Sequence, residues 1–309
     1  MAAGLLSRYF ARVLNIERGR LPTIPLPRIG VSQGPQMYAV MKRGEMVIEV
    51  IFRGFLDRLA VAGGTAFRVG PDMVRFDSGG WHPRNDLGFT ISTQTRALLE
   101  HVIRPRLLEN GNVVIRERCR FRGLMMDQAD GRVQGVKIRG NGLETLATDL
   151  VIDAMGRSSP MPRYLEGGAG GEAPVQVTEI DINYPTILLN EPEQWRGDPW
   201  SYIMLTTAPD QTHGATITPI EGNRCLLTMV SRFGDQFPTE LADCFAFTKV
   251  LIHRKSSSAS VTRNWRPRPS AFKFQSPGSR TLTGCRVFRW DCCHWAMRSA
   301  LSTRCSLRG

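Results

Sequence analysis

The chain contains no run of about 18 apolar residues, which excludes an ordinary membrane-spanning helix. Residues 1–15 mix Arg8 and Arg12 into a short apolar stretch without a small-residue cleavage site, so no secretory leader is read there and a cytoplasmic location is expected. None of the seven cysteines forms a paired CxxC. Cys285, Cys292, Cys293 and His294 therefore lack the spacing of a zinc site, and disulfides are not expected in a cytoplasmic chain. Acidic residues almost vanish from residues 256–309, which hold ten Lys or Arg and only Asp291, leaving 30 basic and 27 acidic residues upstream. The net charge of +12 is thus a property of the tail, and the body is near neutral. The same tail holds four of the seven Cys and three of the six Trp, so composition breaks near Lys255.

A length of 309 residues with 42% hydrophobic content can bury one large core or two ordinary ones. Helical spacing of apolar residues occurs over residues 5–13, 44–62 and 95–108, with Pro105 placed to end the third early. The segment 11–17, ARVLNIE, reads as a short buried strand closing on an acid. Short strand candidates lie at 67–69, 73–76 and 88–91. Residues 113–115, 119–125, 133–139 and 144–147 alternate between turn signals and read as an antiparallel meander. It leads into 149–154, whose continuous apolar run suits the interior of a parallel sheet. Strand-like segments at 175–183, 202–207, 214–220 and 224–231 predict a second, mostly antiparallel sheet, with Glu221-Gly222-Asn223 as a hairpin turn. Residues 239–252 return to helix, opened by Thr239.

The most informative stretch is 149–159, DLVIDAMGRSS. A buried strand ending in Asp-Ala-x-Gly-Arg carries backbone past a glycine, where a ligand can approach without meeting a side chain. Together with IERGRLP (16–22), RIGVSQG (28–34), TQTRALLE (93–100) and the meander, it resembles the FAD-dependent monooxygenase family related to aromatic hydroxylases, over residues 2–255. The resemblance implies an α/β fold: a Rossmann-like FAD-binding domain, incomplete here, with an inserted, mostly antiparallel β-sheet substrate domain. The expected division is residues 1–172 for the partial FAD-binding domain, 173–255 for the substrate sheet and its following helix, and 256–309 for an atypical, disordered basic tail.

Enzymes of that family use reduced flavin and oxygen on small organic, often aromatic, substrates, and NAD(P)H usually supplies the hydride. By resemblance, Glu17 holds the adenosine ribose hydroxyls, a task suited to a carboxylate because it accepts from both. Arg18 completes a Glu-Arg pair; Arg28, Gln33 and Gly34 match the loop running past the flavin; Arg96 matches the helix-start Arg near the cofactor; Asp153, Gly156 and Arg157 match the motif before the sheet insertion. The chain departs from the family pattern at Ser32, where a Pro is usual, and at Gln36 and Tyr38, where a His is usual. The resemblance identifies no catalytic base; His213 and Asp235 fall in the substrate domain, where a surface turn accounts for each.

Two family features are missing. The glycine-rich phosphate loop should lie about twenty residues before the ribose-binding acid, but only sixteen residues precede Glu17. Residues 1–3 are therefore expected to lie already within the first helix, and FAD binding is expected to be weak or lost. Past Lys255 the family's Gly-Asp motif does not appear. Redrawing codons one base upstream lets residues 290–304 read MGLLPLGDALCSFNP and residues 256–265 read IFQRIRDAEL, so a shifted reading frame is the expected origin of the tail. The competing expectation is a non-catalytic interaction protein whose basic tail, with Trp265, Trp290 and Trp295, binds nucleic acid or another anion.

Overall fold

The computed structural model describes residues 1–28, 31, 34, 37–127, 129, 131–156, 159–166, 175–178, 182–183, 186–191, 200–206, 210, 212–232, 279–282 and 292–294. The expected helix at 239–252, most of the tail, and the candidates Gln33 and Arg157 lie outside them. In chain order the elements are α1 (Ala2–Leu6), β1 (Val13–Ile16), β2 (Met37–Val40), α2 (Lys42–Ile51), α3 (Phe55–Val61), β3 (Thr65–Arg68), β4 (Met73–Asp77), β5 (Gly80–Trp81), β6 (Thr90–Thr95), α4 (Arg96–Leu108) and β7 (Val113–Arg116). They continue with β8 (Arg120–Met126), β9 (Val133–Arg139), β10 (Leu143–Ala147), β11 (Val151–Asp153), α5 (Met161–Glu166), β12 (Val175–Thr178), β13 (Ile182–Asn183), β14 (Thr186–Asn190), β15 (Ser201–Met204), β16 (Gly214–Ile220), β17 (Arg224–Arg232), β18 (Ser279–Leu282) and β19 (Cys292–His294).

Strand β1 pairs in parallel with β7, Val13 facing Val113, and the helices cover this pair. The strand at 113–116 therefore belongs to the parallel layer, and the meander has three strands, β8, β9 and β10. Alternation along a strand reports which face is buried but carries no information about its partner's direction. Residues 44–62 form two helices because Gly54, at φ 76°, turns the chain between α2 and α3. Pro105 does not end α4; it sits inside the last turn, where its carbonyl accepts from the Glu109 amide at 3.1 Å. In α1, a Cβ on Gly4 would stand 2.5 Å from the Phe52 ring, so glycine is what lets α1 lie close against the end of α2.

Sheet β2-β6-β3 lies beside this layer, and β11 pairs in parallel with β19. A seven-stranded sheet follows the order β13-β17-β16-β15-β4-β5, with β14 also on β17. It takes in β4 and β5, so this sheet reaches back across residue 172. Ile187, Leu227, Ile217 and Tyr202 form one cross-strand row on its apolar face, and Thr186, Thr228, Thr216 and Ile203 form a row on the other. The corner between β3 and β4 is closed by Asp72, which accepts from the Arg68 amide at 2.8 Å and from its guanidinium at 2.9 Å.

The Arg68 guanidinium holds the Asp72 carboxyl below the usual carboxylate range, against the opposing effect of burial. A depressed folded value means the contribution is complete above the ordinary carboxylate pKa and is lost as pH falls through the folded one. The stability difference between the natural chain and Asp72→Asn should therefore shrink as pH is lowered from about 7 to about 3, measured by urea unfolding at each pH. A difference that stays constant with pH would contradict this.

Cys225, at 0% exposure in β17, is the deepest thiol described. Burial, with a smaller effect from the Glu191 charge, pushes it up to about 12. Because the thiolate is the nucleophile, Cys225 should resist iodoacetamide at pH 8 in the folded protein and react on unfolding, read by peptide mass mapping. Equal rates in both states would contradict the packing.

Candidate cofactor-binding site

Strand β1 delivers Glu17 to the end of the parallel layer, and the main chain fixes it there. Its amide donates to the Arg116 carbonyl at 2.9 Å, and its carbonyl accepts from the Cys119 amide at 3.0 Å. The carboxylate turns toward the following loop, where Oε1 accepts from the Gly19 amide at 2.9 Å and Oε2 from Arg28 Nη1 at 2.8 Å. Arg28 also bridges to Glu100 on α4, with Nε 2.7 Å from Oε2 and Nη2 donating to Oε1 at 3.1 Å. Arg96, one turn earlier on α4, donates from Nε to Glu100 Oε1 at 2.8 Å. Its guanidinium lies 5.9 Å from the centre of the Tyr38 ring. Arg104 ties the loop to the same helix by donating to the Pro22 carbonyl at 2.5 Å, and burial lowers its pKa from the ordinary arginine value.

Three residues expected at the cofactor, Glu17, Arg28 and Arg96, thus meet in one ion-pair network, while Glu100 joins them and Arg104 anchors the loop beside it. Glu100 could have been singled out, because Arg96 and Glu100 stand four residues apart on one helix face. Arg18 and Gly34 lie in the same part of the chain. Gly34 is buried, and a Cβ there would press on Pro27 Cβ and the Val31 carbonyl oxygen, each at 3.1 Å, so its smallness serves loop packing.

Asp153 and Gly156 form a separate turn after β11. The Asp153 carboxylate accepts from the Met155 amide at 2.8 Å and from the Ser159 hydroxyl. It organises the turn from beneath. Gly156 takes φ 70°, and among the described residues a Cβ there would meet nothing within 4 Å.

The chemistry of Glu17 suits a ribose. A carboxylate offers about four acceptor positions, two are filled by Gly19 and Arg28, and the side chain remains 25% exposed. Two acceptor positions are left for a vicinal diol. The pyrophosphate end does not fit in the same way. Helix α1 has five residues and Met1 as its cap, and Gly4 is spent on packing against Phe52. Among the described residues no glycine-rich turn offers amides to phosphate. Among the described residues, too, no cluster of three His, Cys, Asp or Glu could hold a metal, and no helix is long and apolar enough to cross a membrane. Cys285 lies outside them, and for Cys292, Cys293 and His294 only their pairing in β19 is described.

No protein-family profile matches the chain. Protein Rv3254 of Mycobacterium tuberculosis is 28% identical over 273 residues, covering 84% of this chain and 56% of that protein. Among solved structures, PqsL, a probable FAD-dependent monooxygenase from Pseudomonas aeruginosa, superposes with a TM-score of 0.56 at 15% identity, over 74% of this chain and 56% of that one. The flavin-dependent brominase Bmp2 superposes with a TM-score of 0.62 at 16% identity, over 94% of this chain and 67% of that one. The chain spans little more than half the length of Protein Rv3254 and PqsL. It shares its fold, an α/β part together with a β-sheet part, with these flavin enzymes.

Proposed function

We propose that the chain is a flavin-dependent oxidoreductase of the monooxygenase type, in which the β1 end and α4 receive the adenosine part of FAD and the seven-stranded sheet faces a small organic or aromatic substrate. NAD(P)H is the proposed hydride donor. The observation that carries the reading is the carboxylate of Glu17 at the end of a parallel strand, held by the Gly19 amide and by Arg28 with two acceptor positions left. FAD, when bound, supplies the oxygen chemistry, and the protein's part is to bind, orient and exclude water. Glu17 would hold the ribose, Arg96 and Arg28 would supply positive charge beside it, and the backbone at Gly156 would let the cofactor pass.

Among the described residues the ribose acceptor stands without a phosphate cradle, and on that ground the affinity for FAD is proposed to be low. The purified chain should be colourless, with no flavin band in its visible absorbance spectrum. A yellow protein carrying one flavin per chain would overturn the low-affinity part of the proposal.

A further inference from the structure

Glu221 is nine-tenths buried, yet it sits in a hairpin turn, where a carboxylate is usually solvated. The turn between β16 and β17 passes through Gly222 at φ 75° and Asn223 at φ 53°, which bends the chain sharply. That bend sends the Glu221 side chain away from its own sheet. Its Oε2 accepts from the Thr95 amide at 2.9 Å, and its Oε1 accepts from the Thr95 hydroxyl. Thr95 is the N-cap of α4, and its hydroxyl oxygen accepts from the Leu98 amide at 3.1 Å. The carboxylate therefore completes the cap of a 13-residue helix, at the end where negative charge is favoured. Arg224 Nη2 reaches Oε1 at 3.4 Å, and Thr93 Oγ1 donates to the Pro219 carbonyl at 2.8 Å in the same interface.

A buried carboxylate costs desolvation that its hydrogen bonds only offset, so such a contact contributes more to orientation than to net stability. An apolar contact would join the two layers and allow sliding. Two bonds to one residue fix the register between the sheet and the helix. The next residue along α4 is Arg96, which stands over Tyr38 and holds Glu100.

We propose that Glu221 is a positioning residue that latches the seven-stranded sheet onto the N-terminus of α4, and so sets where Arg96 stands relative to that sheet. The consequence for substrate placement rests on the flavoenzyme reading, whereas the latch itself does not. It can therefore be tested without flavin.

The test is native-state hydrogen exchange on the full chain, comparing the natural sequence with Glu221→Ala and Glu221→Gln. With Glu221→Ala, exchange at the Thr95 amide and at the amides of residues 220–224 should rise together, by at least about tenfold, while amides of β1, β7 and the centre of β17 keep their protection. Glu221→Gln, which keeps an acceptor and the side-chain volume, should restore most of the protection at Thr95. If Glu221→Ala does not fold, partial loss in Glu221→Gln confined to the same two elements carries the same meaning. A double-mutant cycle with Thr95→Val should give non-additive changes in the unfolding equilibrium constant, by at least about threefold. Unchanged exchange at Thr95, a uniform rise across all amides in both variants, or additive effects would overturn the latch.

Discussion

Phe55→Ala is expected to lower the unfolding free energy by about 3–5 kcal/mol. Phe55 is 0% exposed and opens α3 directly after the Gly54 turn. It belongs to the core that joins Phe52 and Leu59 to Leu98 and Val102 of α4 and to Val13 and Val113 of the parallel pair. Truncation removes the apolar contact and leaves a cavity that Gly54 cannot close by moving the backbone, because the Gly54 and Leu56 amides are both held by Glu49. The site depends on this core through α4, whose opposite face carries Arg96 and Glu100. Urea denaturation should show a lower midpoint with an unchanged slope. A loss below about 1 kcal/mol would mean that α3 is not packed as described.

The second large effect is on ligand binding. Glu17→Ala should reduce affinity for adenosine-containing ligands by at least about tenfold, since each hydrogen bond to a charged acceptor contributes about 1.5–3 kcal/mol. The substitution also frees the Gly19 amide and leaves Arg28 paired with Glu100 alone, so a change in loop conformation has to be separated from loss of the acceptor. Glu17→Gln does this by keeping volume and one acceptor oxygen. It should bind with intermediate affinity while its thermal midpoint stays close to that of the natural chain. Equal affinity in all three proteins would remove Glu17 from the site.

Much of this arrangement is legible in the sequence, and the exceptions have physical causes. The strands Val133–Arg139 and Gly214–Ile220 follow the bounds set by alternation and turn residues. Glu17 is legible as an acid closing a short apolar strand. The parallel partnership of β1 and β7 is not, because about one hundred residues separate them and each strand's pattern is compatible with either direction. Two strands carry weak local signals: Met37–Val40 has only four residues, and Thr186–Asn190 lacks strict alternation. The joining of Arg28 to Glu100, and of Glu221 to Thr95, depends on chain reversals that no local window contains. Glu221 and Thr95 are 126 residues apart. Buried polar contacts of this kind are read only once the fold has brought them together.

The central claim is that the end of β1 and the start of α4 form the adenosine end of a flavin site, and its most direct measurement is a titration of FAD by fluorescence, followed by competition with adenosine. The account predicts weak, saturable binding with Kd of about 100 μM or higher, displaced by adenosine and not by riboflavin, and lost in Glu17→Ala. Binding that riboflavin displaces and adenosine does not, or that survives Glu17→Ala unchanged, would contradict it.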